Sequence, residues 1–350
     1  MKLRIGAKYI PLLASAAVLL GLYIAGCVAF ADRNFISMGV VAKLFSENAF
    51  LGIAAIGATF VILSGGIDLS VGSIVAFTSI LIATLCFDPA LDPRQVGEVA
   101  QLLPADWLPM HPMTAITIAV LLGTLFGTAM GCLIHFFKLP AFLVTLGGMF
   151  LARGLAFMIR IESLSIKHPF YAETITRKLN WSPLPGVQIP LIVFCFLILF
   201  AVALYMAHFR RFGRNVYAIG GSEESANLMG LPVGRTRIMV YTFAGFCSSM
   251  AGVAYTFYMA KGDSAGAGVG LELDAIAAVV IGGTLLSGGV GFLAGTMIGV
   301  LIFALIQSLI NFQGTLSAWW TRIIVGALVL VFILLQNFVT AASRAQQKSE

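Results

Sequence analysis

Apolar residues in this sequence fall into runs of membrane length. They form neither the one-sided stripe of a water-facing helix nor the alternation of a half-buried strand. About ten segments stand near 9–30, 49–63, 71–86, 113–137, 142–159, 189–207, 238–259, 271–286, 291–310 and 320–338. A helix needs roughly 20 residues to cross the hydrocarbon of a bilayer. The second, third and eighth segments fall short of that, and each adjoins a glycine-rich break. The pattern predicts an all-α polytopic membrane protein of about ten transmembrane helices, some of them broken. Because the runs recur from end to end, residues 1–350 read as a single transmembrane domain.

Composition closes off the soluble alternatives. Hydrophobic residues make up 59% of the chain and charged residues 10%, and mean hydropathy is +0.99. A soluble domain carries roughly 25% charged residues to cover its surface. The net charge of +6 fits basic cytoplasmic loops. With no aromatic–basic interleaving, nucleic acid is not an expected partner. Cys27, Cys86, Cys132, Cys195 and Cys247 each lie inside an apolar run without metal or redox spacing, and read as packing residues. Ile24-Ala25-Gly26-Cys27 and Ala29-Phe30-Ala31 have the form of processing sites. The first run is longer than the apolar part of a signal peptide, so an uncleaved first helix is expected.

The loops set the expected orientation. With the N-terminus inside, the cytoplasmic side receives Lys2, Arg4, Lys8, Lys138, Arg210, Arg211, Arg214, Arg235, Arg237, Arg344 and Lys348. The acids there are Asp68, Glu223, Glu224 and Glu350, whereas the outer loops balance both signs. Positive-inside bias therefore favours cytoplasmic N- and C-termini. The two long outer loops, 87–111 and 160–188, carry prolines and are expected to hold short surface structures.

Glycines add two patterns. Gly123, Gly127 and Gly131 in the fourth segment, and Gly291, Gly295 and Gly299 in the ninth, make smooth stripes that let a neighbouring helix approach closely. Ile62-Leu63-Ser64-Gly65-Gly66-Ile67 is echoed by Leu285-Leu286-Ser287-Gly288-Gly289-Val290. The stripes imply an inverted repeat and the echo a repeat in the same orientation; inversion, common in transporters, is favoured.

Three places are candidates for function. At Ser64–Gly72 the backbone leaves the helix, and Asp68 and Ser70 stand where they would cap the next one. The functional alternative is a broken-helix element on a translocation path. The basic loop of about 208–237 holds Gly221, Ser222, Glu223, Glu224, Ser225, Ala226, Asn227, Leu228, Met229 and Gly230. Ser222 as N-cap, acids in the first turn and Gly230 as the stop predict a short helix from Glu223 to Met229. Leu228 and Met229 would then form an apolar knob for a partner's groove, unless the segment is a solvated linker. Arg153, Glu272 and Asp274 are ionisable groups at or within apolar segments, and so are path or gate candidates. Hydration near the outer interface explains the two acids as well, and snorkelling explains the arginine.

No G-x-x-x-x-G-K-[ST] loop occurs, so this chain is not expected to hydrolyse ATP, and no H-E-x-x-H or Cys/His cluster occurs either. His111, His135, His168 and His208 are scattered near loops and segment ends.

Taken together, several pieces resemble the permeases of ribose/galactose-type carbohydrate ABC importers. They are Gly57-Ala58-Thr59-Phe60-Val61-Ile62 with Gly65–Gly72, Pro140–Gly147, Gly213–Leu231, and Leu271–Ala277 through Gly282-Gly283 and Ser287-Gly288-Gly289. Ile310–Ser317 with Trp319-Trp320-Thr321 is similar to the permeases of galactofuranose importers. The resemblance implies a multi-pass permease subunit of the bacterial inner membrane, passing a monosaccharide, galactofuranose within that subfamily. It implies a second permease subunit, identical or related, a cytoplasmic ABC ATPase that binds ATP and magnesium, and a periplasmic sugar-binding protein. No cofactor is expected on this chain. Glu223–Met229 would correspond to the coupling helix that docks on the ATPase. A different class, an ion-coupled secondary transporter of a small polar solute, needs carboxylates deep in the bundle, whereas those seen here are placed near the interfaces.

Overall fold

The computed structural model describes residues 10–89, 107–176, 189–317 and 319–349. Lys2, Arg4, Lys8, Glu350 and parts of both long outer loops lie outside the described residues. The chain runs α1 (Ile10–Ala29), α2 (Met38–Glu47), α3 (Ala49–Leu63), α4 (Val71–Leu85), α5 (Pro112–Phe136), α6 (Ala141–Ile159), β1 (Leu164–Ser165) and α7 (Pro169–Thr176). It continues through α8 (Leu191–Phe209), α9 (Arg211–Gly221), α10 (Glu223–Leu228), α11 (Val233–Met259), β2 (Lys261–Gly262), α12 (Leu271–Ile281), α13 (Leu293–Gln313) and α14 (Trp319–Ser349). Each of the ten predicted segments contains a helix.

Length divides those helices. Among the described residues, α1, α5, α6, α8, α11, α13 and α14 are long and apolar enough to cross a bilayer. The pair α2 and α3, bent by 56° at Asn48, makes up to 8 such spans. α4 and α12 are shorter, 15 and 11 residues, so α4 rises only about 22 Å.

The short helices lie at the centre. All of α3 except Phe50 and all of α4 except Phe77 are buried. A helix that is apolar all round needs such a position. Half of the bundle closes around α11, which packs on α3, α4 and α5. The other half builds on α13 with α1, α12 and α14. Exposed residues such as Leu121, Leu125, Leu143, Phe150, Ile198 and Leu330 lie on the outer helices, facing where lipid or a second subunit would stand.

Both glycine stripes are packing surfaces. A Cβ at Gly127 would lie 2.4 Å from the Tyr241 carbonyl and 2.8 Å from Gly245 Cα; one at Gly123 would meet the Ser249 hydroxyl. A Cβ at Gly295 would meet the Gly282 carbonyl, and one at Gly299 the Ala278 carbonyl. The first stripe thus seats α5 on α11 and the second seats α13 on α12. The all-α expectation has one small addition: β1 and β2 pair antiparallel, Leu164 with Gly262, tying the segment before α7 to the segment after α11. α7 is one of the short structures expected in the second outer loop.

Gly127→Leu is expected to overpack the α5–α11 contact and to destabilise the chain by about 1–3 kcal/mol. Gly147→Leu, at a position with nothing within 4 Å, is not. The thermal unfolding midpoints of the two purified variants in detergent check this.

Candidate functional site

The two echoed S-G-G stretches meet. The Gly289 N–H donates to the Leu63 carbonyl at 2.9 Å. Gly65 has φ +81°, and Gly288 and Gly289 have φ +83° and +74°, a left-handed backbone that carries the chain out of each helix at low cost only for glycine. A Cβ at Gly288 would lie 2.8 Å from the Gly65 nitrogen. The third member is Gly220 of α9, where a Cβ would fall 1.8 Å from the Leu63 carbonyl and 2.5 Å from the Gly289 nitrogen. α9 is held there by Phe212 stacked on Phe60 at 5.6 Å and by the Tyr217 hydroxyl donating to the Gly291 carbonyl at 3.0 Å.

α10 extends directly from this junction. The Ser222 hydroxyl accepts from the Ser225 N–H at 3.2 Å, which is the expected N-cap. The helix ends at Leu228, one residue before the expected Met229, and Gly230 turns the chain at φ +74°. Glu223 is paired with Arg237 of α11, and Ala226 is buried with Ile219 and Val233. Leu228 and Met229 point outward, 83% and 68% exposed. The apolar knob stands free on a helix whose other side is anchored.

The second gathering lies where α4 and α12 begin. The segment after α11 does not stay at the far end of α4. Gly262 sits against Ser79 and Ala83, and Gly268 against Gly72 in the first turn. The segment therefore runs back along α4, and α12 starts beside the N-terminal end of that helix. Glu272 and Asp274 are thus half-buried in the bundle, beside the start of α4. A Cβ at Gly72 would meet Glu272 Oε2 at 2.4 Å. Arg153 is also turned inward rather than snorkelling, with Nη1 donating to the carbonyls of Ser264 at 2.8 Å and Ala267 at 2.9 Å. Arg153 and Arg322 both lie within electrostatic reach of Glu272, and Arg322 of Asp274.

Asp68 does not cap α4. Its Oδ1 accepts from the Ser70 N–H at 2.8 Å and the Ser70 hydroxyl at 2.6 Å, and Ser70, the N-cap residue, makes no side-chain cap bond to the helix. Asp68 is 3% exposed and its Oδ2 has no hydrogen-bond partner. The structure brings Asp68, Ser70, Arg153, Glu272 and Asp274 to one region. Arg322 belongs with them and was not singled out in the sequence; the signal was a lone cation within the last apolar segment. Two of the scattered histidines meet, the rings of His111 and His168 lying edge-on at 5.9 Å. Each accepts a backbone N–H, from Met113 and Phe170 respectively, so these rings tie off helix starts.

Residues 40–333 match the family described as branched-chain amino acid transport system / permease component. The chain is 43% identical over 316 residues to the inner membrane ABC transporter permease protein YjfF of Escherichia coli, covering 90% of this chain and 89% of that one. It is 36% identical over 348 residues to the fructose import permease protein FruG of Bifidobacterium longum, covering 97% and 94%. It is 33% identical over 308 residues to the ribose import permease protein RbsC of Escherichia coli, covering 87% of each. No solved structure matches the chain.

Gly220→Ala is expected to push α9 off the junction and to speed proteolysis or amide exchange across 211–231. Gly221→Ala, where a Cβ meets nothing within 4 Å, is expected to leave both unchanged.

Proposed function

Because the chain belongs to the branched-chain amino acid transport system / permease component family, we propose that it is the membrane permease of an ATP-driven sugar importer. It is a multi-pass protein of the inner membrane. The observation that carries the proposal is α10: an anchored helix between two membrane helices, presenting bare Leu228 and Met229. An apolar pair this exposed, beside a short helix held by Glu223–Arg237, suits a groove on a cytoplasmic ATPase. Closure of that partner around ATP would press on α10 and, through Gly220, on both breaks at once.

Sugar as substrate rests on the fructose and ribose permeases among the relatives, and galactofuranose on the resemblance of the segment 310–321. A neutral polyol needs hydroxyl-binding groups on its path. The carboxylates of Glu272 and Asp274, with Arg153 and Arg322 within electrostatic reach, are groups of that kind. The same grouping favours a second reading, an ion-coupled transporter, since half-buried carboxylates gather within the bundle. That reading gives α10 no partner. A second permease subunit and a periplasmic sugar-binding protein complete the proposed assembly; both termini are placed in the cytoplasm, and ATP and magnesium on the ATPase.

Leu228→Ala with Met229→Ala is expected to abolish co-purification of an ATP-binding subunit, or to lower sugar-stimulated ATP hydrolysis about tenfold or more, while the bundle melts as before. Retention of normal stimulated hydrolysis would count against α10 as the docking helix. An active importer that copurifies with no ATPase would count against the whole reading.

A further inference from the structure

Beside the first break lies a half-open cavity of about 220 Å³, bounded by Ser64 and Gly66, by Pro140 in the α5–α6 connection, and by Arg237 and Tyr241 of α11. That is room for several waters or one small solute. Its walls carry unmet hydrogen-bonding capacity. Tyr241 is 1% exposed, and its hydroxyl, set against Gly66, has no hydrogen-bond partner. Asp68 is not in the lining, but its carboxylate, with Oδ2 unpartnered, lies within electrostatic reach of that hydroxyl. Buried polar groups are nearly always paired, so an unpaired hydroxyl in the wall of a polar cavity calls for a partner that comes and goes. Packing alone would be served by phenylalanine at 241. Arg237 supplies the third wall, and its pairing with Glu223 leaves further N–H donors of the guanidinium free for another acceptor.

The charges narrow the partner's chemistry. An anion would be repelled by Asp68, and a cation by Arg237. A molecule whose hydroxyls both donate and accept would satisfy Tyr241 and Arg237 together. Resting on the permease reading above, we infer that this cavity is a holding site for a neutral polyhydroxylated solute at the α10 end of the bundle, with Tyr241 and Arg237 as its specificity-determining residues. Arg237 then has two roles, since the guanidinium that faces the cavity also holds Glu223 of α10. Movement of α10 alters a wall of the site, so docking and release of solute are linked through one side chain.

The test uses the complete transporter, with its ATPase and binding protein, in inside-out vesicles. Ser64→Cys is labelled by a membrane-impermeant maleimide, above the background of the five native cysteines, with ribose, fructose or galactose present. A sugar that the complex transports is expected to slow labelling, and an equal concentration of glycine betaine, which has no hydroxyl, is not. Adding Tyr241→Phe is expected to shift protection to roughly three- to tenfold higher sugar, the value of one hydrogen bond to a neutral group. If Ser64→Cys disables uptake, Ala141→Cys reports on the same cavity. Labelling that no transported sugar slows, or protection unmoved by Tyr241→Phe, would overturn the site while leaving the permease reading intact. An unmodified complex that takes up no sugar at all would overturn the permease reading, and this site with it.

Discussion

The hydrogen bond from the Gly289 N–H to the Leu63 carbonyl is the constraint from which the architecture follows. A helix that stops inside a bundle leaves its last carbonyls without partners, and in a dry surrounding an amide–carbonyl bond is worth about 4–6 kcal/mol. Here the end of α3 takes its donor from the other break, so the two interruptions support each other. That bond is possible only if nothing stands between the strands of backbone. Glycine at 65, 288 and 289 meets the requirement, and glycine at 220 lets a third element enter the same space. The contact leaves no room for a slack side chain. A push on α9 is a push on both broken spans.

The helices that follow these breaks are short for the same reason. α4 begins only after the non-helical stretch from Gly65 to Ser70, and α12 begins only after the segment that runs back along α4. Their N-terminal ends come together, where Asp68, Glu272 and Asp274 stand near Arg153 and Arg322. Charges inside a bundle persist when paired or hydrogen-bonded, and Arg153 shows how, clamped on the carbonyls of Ser264 and Ala267. The resulting region is polar, with carboxylates and guanidiniums of the kind that bind the hydroxyls of the proposed sugar.

Much of this was legible in the residues. Apolar runs marked ten of the fourteen described α-helices, and their length flagged α3, α4 and α12 as the unusual ones. Ser222, the acids after it and Gly230 located α10 to within a residue, because caps and stops are local interactions written in adjacent positions. What stayed hidden was non-local. The S-G-G echo was visible as a repeat, but nothing in either copy says that the copies touch. The meeting of Glu272 with the first turn of α4 is non-local too, because it depends on how the segment before α12 packs along that helix. Tyr241 was passed over, since an aromatic residue within an apolar helix looks like any packing residue until its hydroxyl is found without a partner.

The central claim is that α10 and the two breaks move as one body. Spin labels at positions 227 and 286, both exposed, measure the separation of α10 from the second break. A pair at 286 and 136 measures the break against the end of α5. Across nucleotide states of the assembled transporter, the first distance is expected to hold steady while the second changes. A first distance that changes while the second stays constant would contradict the account, because the glycine junction would then be a hinge and not a coupling.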